Sequence, residues 1–323
     1  MFSYIIRRLL YTVPIVFGVM LITFLLFNIV RGDITDQIAG KEASAETRAE
    51  IKKEYGLDKP LFFNTEHKVF SKQFWDSQFF NHLLAAATFD FGYSYNDREA
   101  IWDKIKRGAG PSLALTAPML VGEVSISIIL ALVVAYFRGR WIDNLTVLIC
   151  IVGMSLPFLS FILFGQYFLA FKWGLFPVYF WPDLSVWQYT LLPTFIGIAA
   201  GLGSNLRFYR AVMLDELGND YVRTAFAKGL SPAKVLFKHV LKNAMIPIIT
   251  QVVLAIPFLF LGSLLLERFF GIPGLGYLMI DAIGARDFKV INAMVYISAI
   301  LFVVFNLITD ICYAIVDPRI SFK

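Results

Sequence analysis

Six long apolar stretches, separated by polar segments, dominate the amino-acid sequence. They run over Leu9–Val30, Ser112–Phe137, Asn144–Phe171, Leu184–Leu206, Asn243–Leu266 and Val290–Thr309. Each holds the roughly 20 predominantly apolar residues that an α-helix needs to cross a bilayer. Backbone polar groups in hydrocarbon must pair within their own segment, and the alternating pattern of a membrane barrel is absent, so these runs predict helices. We therefore expect an all-α, polytopic membrane protein with six transmembrane helices.

Composition supports a membrane protein over the soluble classes. Of the 323 residues, 58% are hydrophobic and 16% are charged, and the mean hydropathy is +0.67. Soluble domains are about 45–50% apolar and about 25% charged, and disordered chains are poorer still in apolar residues. The chain has only two cysteines, Cys150 and Cys312, and both lie among apolar residues, which excludes a disulfide scaffold. The net charge is only +5, so no nucleic-acid partner is expected.

The basic residues predict how the helices are oriented. If the N-terminus is cytoplasmic, the cytoplasmic segments are 1–8, 138–143, 207–242 and 310–323. They hold thirteen Lys and Arg against five Asp and Glu, with Asp310 assigned to the membrane. The opposite side holds sixteen basic and seventeen acidic residues, in segments 31–110, 172–183 and 267–289. Because Lys and Arg are enriched on the cytoplasmic side, this distribution predicts N-in and C-in.

The pattern divides the chain into three parts. Residues 1–30 form the cytoplasmic N-terminus and first span, an apolar run too long for a cleaved signal peptide. Residues 31–110 form an extracytoplasmic helical loop, and residues 111–323 form a five-span core with a cytoplasmic loop at about 207–245. The extracytoplasmic loop is rich in aromatic residues, which favours a helical cap on the outer membrane surface; direct recognition of a partner is the alternative. His67 and His82 stand fifteen apart with no other ligand near, so no metal site is predicted.

The cytoplasmic loop has the signals of two helices joined by a tight turn. Leu214–Lys228 is predicted to be helical, and Gly229 fits the left-handed residue that follows a helix end. Ser231 and Pro232 then fit an N-cap and a first helical position. A rigid unit of this kind can be gripped by another protein and can transmit force.

Several segments resemble one protein family. The stretch Asp220–Pro247 closely resembles the signature loop of ABC-transporter permeases, in the form of the peptide/nickel importer class. Similar matches are found in the first 27 residues, in Phe89–Tyr95 (FDFGYSY), in Glu267–Phe288 and in Asp310–Ser321. These pieces occur in order from residue 1 to residue 321, so the resemblance covers nearly the whole chain.

The resemblance implies the first, longer-looped (B-type) permease of a type I importer in a bacterial or archaeal cytoplasmic membrane. Expected partners are a second, non-identical permease, two ATPase subunits and an extracytoplasmic solute-binding protein. ATP and Mg would bind to the ATPases, and no cofactor is expected in this chain. The resemblance also implies a coupling helix that sits in a groove on the ATPase, with coupling residues Asp220, Arg223, Thr224, Ala225, Ala227, Lys228 and Gly229. The broad family motif begins Glu-Ala-Ala; here Arg223 replaces the glutamate, so no glutamate–ATPase ion pair is implied.

Glu123 is the clearest candidate for the translocation path. It lies near the middle of the second apolar run, where a carboxylate costs roughly 2.5–3.5 kcal/mol on insertion scales. It could contact a cationic group of the substrate, such as a peptide amino terminus, or form a structural hydrogen bond to a neighbouring helix. Met154, Ser155 and Phe158, around a helix-disrupting Pro157, are further candidates for the path. Gly201 and Gly203 favour close helix packing.

The expected function is an ATP-driven importer of oligopeptides or dipeptides that works by alternating access. The chain contains no phosphate-binding loop and no metalloprotease or hydrolase motif, so it is not expected to be an enzyme. A nickel or nickel-chelate importer permease is the alternative within the class. An ion-coupled secondary transporter is the alternative from another class, but Glu123 and Asp310 are the only acids assigned to the membrane, which argues against it.

Overall fold

The computed structural model describes residues 2–26, 44–54, 56–65 and 71–316, with only the backbone described for 2–9, Glu54 and 310–316. Several predicted features lie outside this description: the end of the first span, His67, the side chains of Asp310 and Cys312, and the tail after residue 316. The described part is helical, with a single isolated bridge between Tyr93 and Ala100 as its only β pairing. The all-α prediction is confirmed for these residues.

Fourteen α-helices make up this part of the chain. They are α1 (Phe2–Leu25), α2 (Ala45–Glu54), α3 (Lys72–Trp75), α4 (Gln78–Ala87), α5 (Ile101–Tyr136), α6 (Trp141–Ser155), α7 (Phe158–Gly165), α8 (Val186–Leu217), α9 (Asp220–Ala227), α10 (Pro232–Val235), α11 (Leu241–Leu261), α12 (Leu264–Phe270), α13 (Leu275–Gly284) and α14 (Phe288–Val316). Two π-helical segments, Gln166–Lys172 and Leu236–Val240, extend α7 and join α10 to α11.

Three helical runs are long and apolar enough to cross a membrane: Ile101–Tyr136, Pro232–Phe270 and Phe288–Thr309. A bent pair, Trp141–Ser155 with Phe158–Lys172, would make a fourth if the pair counts as one span. Leu10–Leu25 is apolar but shorter in the part described, and α8 covers the predicted fourth span without being among the three. The chain is thus a helical membrane protein, and the number of six spans stays a prediction.

The predicted single helix over Asn144–Phe171 is wrong at Pro157. Helix α6 ends at Ser155, Leu156 is extended at φ −85° and ψ 131°, and α7 begins at Phe158. The two helices meet at 93°. Proline lacks an N–H and disfavours helical backbone in the residue before it, so the kink expected at Pro157 is a complete break between two helices.

The chain divides into two compact units. The first unit comprises Met1–Arg107 and Leu278–Val303, and the second comprises Gly108–Tyr277 and Val304–Lys323. In the first unit, α1 and α4 pack together: the rings of Phe17 and Phe79 meet edge to face, 5.9 Å apart. The core of the second unit has two apolar clusters, one around Leu115, Ile162 and Leu266 and another around Tyr209 and Val240.

Candidate coupling helix and translocation path

Helix α9 has one face in the core of the second unit and one face in solvent. Val222 and Ala225, three residues apart and therefore on one side of the helix, are 1% and 4% exposed. They pack into the cluster that contains Met213 of α8 and Val235 of α10. The other residues implied by the resemblance are exposed: Asp220, Arg223, Thr224, Ala227, Lys228 and Gly229. Ala225 is the exception, because it faces the chain's own core.

The turn after α9 has the predicted geometry. Gly229 has φ +75°, and its N–H donates to the Phe226 carbonyl over 2.9 Å. A Cβ at Gly229 would meet no atom within 4 Å, so glycine is needed here for its backbone conformation and not for space. Ser231 is extended and Pro232 opens α10, which confirms the restart of the helix, although the Ser231 side chain makes no capping bond.

The predicted helix over Leu214–Lys228 is interrupted. Helix α8 ends at Leu217, and α9 begins only at Asp220, after Gly218 and an extended Asn219. Glu216, in the last turn of α8, connects the two helices. Its carboxylate accepts hydrogen bonds from Asn219 Nδ2 in the break and from the Tyr221 hydroxyl in α9. Burial, and secondly the bond to Glu216, raises the pKa of the Tyr221 phenol, so Tyr221 stays a donor at neutral pH.

The exposed face of α9 keeps its charges available. Arg223 and Asp220 approach to 3.6 Å, with side chains 77% and 96% exposed. Surface pairs of this kind contribute about 0–1 kcal/mol, so the pair does not fix either side chain. The Thr224 hydroxyl is turned back onto its own helix, where it donates to the Asp220 carbonyl over 2.9 Å.

Glu123 belongs to a chain of polar side chains that connects three helices. Its Oε1 accepts from Asn205 Nδ2 of α8 at 2.6 Å, and Asn205 Oδ1 accepts from Gln251 Nε2 of α11 at 2.6 Å. The structural hydrogen bond considered from the sequence is therefore present. Asn205 and Gln251 were not predicted from the sequence, although an amide side chain inside an apolar run favours a hydrogen bond to a neighbouring helix.

Glycines of α8 make room for the side chains of α5. A Cβ on Gly201 would lie 1.8 Å from Glu123 Oε1, and a Cβ on Gly197, one turn earlier, would lie 2.1 Å from Met119 Sδ. On the side facing α6, a Cβ on Gly203 would lie 3.1 Å from the Cys150 carbonyl oxygen. The predicted close packing at Gly201 and Gly203 is confirmed.

A cavity of about 380 Å³ adjoins this glycine face. Its walls are formed by Met119, Gly153, Met154, Leu156, Phe158, Phe161, Gly197, Ala200, Gly201 and Ser204. The structure thus brings together two path candidates, Met154 and Phe158. Ser155 does not line the cavity, and its hydroxyl donates to the Ile151 carbonyl over 2.8 Å. The Glu123 carboxylate does not line the cavity. It packs against Gly201, and Gly201 is one of the wall residues.

Glu267 of α12 is a second carboxylate in the interior of the protein, and its burial was not predicted from the sequence. It is 0% exposed and accepts hydrogen bonds from Ser112 Oγ at 2.7 Å and from the N–H groups of Ser263 and Tyr277, each at 3.0 Å. Ser112 Oγ in turn accepts from the Leu275 N–H over 2.7 Å. This cluster connects α5, α12 and α13, which are far apart in the sequence.

Three glycines surround Glu267: Gly262, Gly274 and Gly276. A Cβ on Gly274 would lie 2.4 Å from both Glu267 Oε2 and Ser112 Oγ, and a Cβ on Gly262 would lie 2.2 Å from Glu267 Oε1. In the glycine- and proline-rich segment 271–276, Gly271 ends α12 in a left-handed conformation at φ +67°. The segment therefore both turns the chain and leaves space for the carboxylate.

An ion pair between Arg210 and the buried Asp143 connects the C-terminal part of α8 to the start of α6. Arg210 Nε and Nη2 bind the two Asp143 oxygens at 2.6 and 2.8 Å, and Asp143 also accepts from the Gly139 N–H. Asp143 is 3% exposed. The sequence marked both residues only as charges of the cytoplasmic side, because a pairing across 67 positions leaves no local signal.

Comparisons with known proteins cover the whole chain. The family described as binding-protein-dependent transport system inner membrane component matches residues 127–322, and an N-terminal family of membrane components of the same systems matches residues 1–116. The glutathione transport system permease protein GsiC of Escherichia coli (strain K12) is 35% identical over 324 residues, covering 100% of both chains. GsiC of Shigella flexneri serotype 5b (strain 8401) is 34% identical over 323 residues, again with 100% of both chains.

Proposed function

Because the chain belongs to the family of binding-protein-dependent inner-membrane transport components, and is an ABC importer permease subunit, we propose that it translocates peptide-like substrates in steps driven by partner ATPases. The observation that carries the coupling part is helix α9, with Val222 and Ala225 in the core and Asp220, Arg223 and Thr224 in solvent. A helix anchored on one side and exposed on the other transmits a push to the helices beneath it. Alternating access then follows from movement of the ATPases.

We place the exposed face of α9, with Lys228 and Gly229, in a groove of an ATPase subunit. The partners are two ATPases that hold ATP and Mg, a second permease and an extracytoplasmic solute-binding protein. Ala225 acts from the opposite side of the helix, where its small side chain allows α9 to lie close to α8 and α10. The membrane arrangement is six spans with both termini in the cytoplasm, which puts α9 on the ATPase side.

Disulfide or bifunctional cross-linking in the assembled complex tests this docking. Thr224→Cys is expected to cross-link to an ATPase subunit, because Thr224 is exposed on α9. Val222→Cys is the matched control, since Val222 lies two residues away in the same helix but is 1% exposed. Equal cross-linking at both positions, or at neither while the complex is intact, would contradict the docking.

For the cargo, we propose peptide-like molecules with a free amino group, with Glu123 facing that group. GsiC proteins are named as glutathione transport permeases, and a carboxylate beside a mostly apolar cavity matches a cationic group of such a cargo. Asn205 occupies one Glu123 oxygen; no donor from the described residues reaches the other. Met154 and Phe158 supply apolar wall around the passing substrate.

Glu123→Gln tests the cargo assignment, because it removes the charge and keeps the shape. Uptake of a dipeptide with a free amino terminus should fall, while uptake of its N-acetylated form should change little. The N-acetylated peptide serves as the internal control for folding and assembly. An equal effect on both peptides would show that Glu123 has only a structural role.

A further inference from the structure

The first unit contains a separate cavity of about 310 Å³ that takes no part in the proposed transport path. Its walls come from Gly56 and Leu57 after α2, from α4, from the segment around Asp90–Tyr95 and from the first turns of α14. All of these residues belong to the first unit. The volume is at the lower end of the roughly 300–1,000 Å³ of small-molecule sites, so a ligand would be compact.

One buried polar atom of this cavity lacks a partner. Asn292 Oδ1 is buried and accepts no hydrogen bond in the part of the chain that the structure describes. Buried polar groups are normally paired, so Asn292 Oδ1 calls for a donor from a bound molecule. The His82 imidazole also lines the cavity, and burial lowers its pKa, which favours the neutral ring with one donor and one acceptor nitrogen.

Two opposite charges also line the cavity and come together at Gly92. Asp90 Oδ1 accepts from the Gly92 N–H over 3.2 Å. Gly92 has φ +67°, and a Cβ there would lie only 3.8 Å from Lys289 Nζ. The ammonium of Lys289 lies 4.8 Å from the centre of the Tyr95 ring, a contact that helps to hold it at the wall. An acid and a base side by side complement a ligand that carries both charges.

The remaining wall is aromatic. Phe91 and Tyr296 pack with their ring centres 6.1 Å apart, and both belong to the apolar cluster of Met20 and Ala86. This rigid surface can cover the aliphatic part of a small molecule whose charged ends meet Asp90 and Lys289.

We propose that this cavity binds a small zwitterion of the amino-acid or dipeptide class. Asp90 faces its ammonium group, Lys289 faces its carboxylate, and Asn292 Oδ1 accepts from one of its N–H groups. The site shares no residue with the cavity of the second unit, and binding to it requires neither ATP nor translocation. It therefore gives the chain a ligand site beyond its transport path.

Calorimetric titration of the purified permease–ATPase complex in nanodiscs, without nucleotide or solute-binding protein, tests the proposal. The probes are alanyl-alanine, its N-acetylated form and its C-terminal amide. We expect alanyl-alanine to bind at least tenfold more tightly than either capped form. Asp90→Asn should weaken the binding of alanyl-alanine at least tenfold, and this variant should bind alanyl-alanine and its N-acetylated form equally well. Lys289→Gln should weaken the binding of alanyl-alanine to the same extent, and this variant should bind alanyl-alanine and its C-terminal amide equally well.

Asp58→Asn and Lys106→Gln are the matched controls, since they make the same charge changes at exposed positions of the same unit and should leave affinity unchanged. The proposal is overturned if alanyl-alanine does not bind, or if its binding is indifferent to both cavity substitutions. Association of the solute-binding protein is measured separately on the same variants. The proposal is also overturned if the substitutions impair only that association, because the cavity would then receive a protein side chain. ATP-driven uptake is measured on the same preparations, so a failure of the proposed transport function shows there and not in the titration.

Discussion

At the scale of single residues, buried polar groups define where the helices of the second unit meet. Glu267 and Glu123 are 155 and 82 positions from the side chains that bind them, Ser112 and Asn205. No periodicity or local motif carries such pairings, so the sequence indicated Glu123 as an oddity without identifying Asn205. It gave no sign that Glu267 is buried, because its position beside Arg268 at the end of an apolar run is typical of a solvated residue.

Ser112 and Ser127 offer a test of what these hydrogen bonds contribute. Ser112→Ala removes a donor to Glu267 and the acceptor of the Leu275 N–H, leaving buried groups unpaired at a cost of about 1–3 kcal/mol. Ser127 is also 0% exposed, but its hydroxyl has no partner among the described residues, so Ser127→Ala should be neutral or stabilising. Thermal denaturation of the purified protein in detergent measures both, and a larger loss for Ser127→Ala would refute the assignment.

Gly201 tests the contact between α8 and α5. Gly201→Ala places a methyl group 1.8 Å from Glu123 Oε1, so either the carboxylate or the helix must shift, at a cost of about 1–3 kcal/mol. Gly110→Ala is the matched control, because a Cβ at Gly110 meets nothing within 4 Å and alanine favours the helix by up to about 1 kcal/mol.

A second substitution separates crowding from other effects of Gly201→Ala. Shortening the carboxylate with Glu123→Ala should restore much of the stability lost in the Gly201→Ala protein, because the two side chains then no longer compete for space. Additive losses in the double variant would show that Glu123 is not the group that requires glycine at position 201.

At the scale of elements, local signals predicted the coupling unit well and the long helices less well. Gly229, Ser231 and Pro232 act through their own backbone preferences, so their effect is readable from a few residues. The break at Gly218 is harder to predict, since Glu216, Asn219 and Tyr221 stabilise it through side-chain contacts. At Pro157 the sequence indicated a kink, but the angle of 93° depends on what the two helices pack against.

Two glycines with the same backbone conformation test the role of the turn after α9. Gly229 has φ +75° and Gly139 has φ +76°, and a Cβ at either site meets no atom within 4 Å. Valine at each position should therefore carry a similar strain, of order 1–3 kcal/mol. Only Gly229→Val is expected to uncouple ATP hydrolysis from transport or to weaken ATPase association, since only that turn orients α9.

The comparison is made by measuring ATPase activity and transport on the same reconstituted complexes. Equal uncoupling by Gly229→Val and Gly139→Val would attribute the effect to general strain. If the Gly229→Val protein transports at the normal rate with normal coupling to ATP hydrolysis, the turn after α9 is not required for coupling.

At the scale of the whole molecule, the apolar runs and the charge distribution indicate a membrane protein, and the family identifies it as a transport subunit. The apolar runs predicted a helical membrane protein, and the described part of the chain is one. Helix number and orientation are harder to obtain from sequence, because α8 mixes apolar stretches with glycines and polar residues such as Asn205 and Arg210. Its place depends on neighbouring helices and not on its own hydropathy.

Orientation can be measured directly with a membrane-impermeant thiol reagent on intact cells. In a background that replaces Cys150 and Cys312, Asp58→Cys should react from outside and Thr224→Cys only after permeabilisation, because N-in and C-in orientation places α9 in the cytoplasm. Labelling of Thr224→Cys in intact cells would reverse the orientation and remove α9 from the ATPase side.

The central claim is tested most directly by uptake into proteoliposomes that contain this chain, its partner permease and the ATPases. Labelled dipeptide or glutathione and the solute-binding protein are supplied outside, and ATP is supplied in the lumen. Uptake is predicted to require lumenal ATP, to require the binding protein and to be insensitive to a proton or sodium ionophore. Uptake that proceeds without ATP and collapses with the ionophore would contradict the account and identify an ion-coupled transporter.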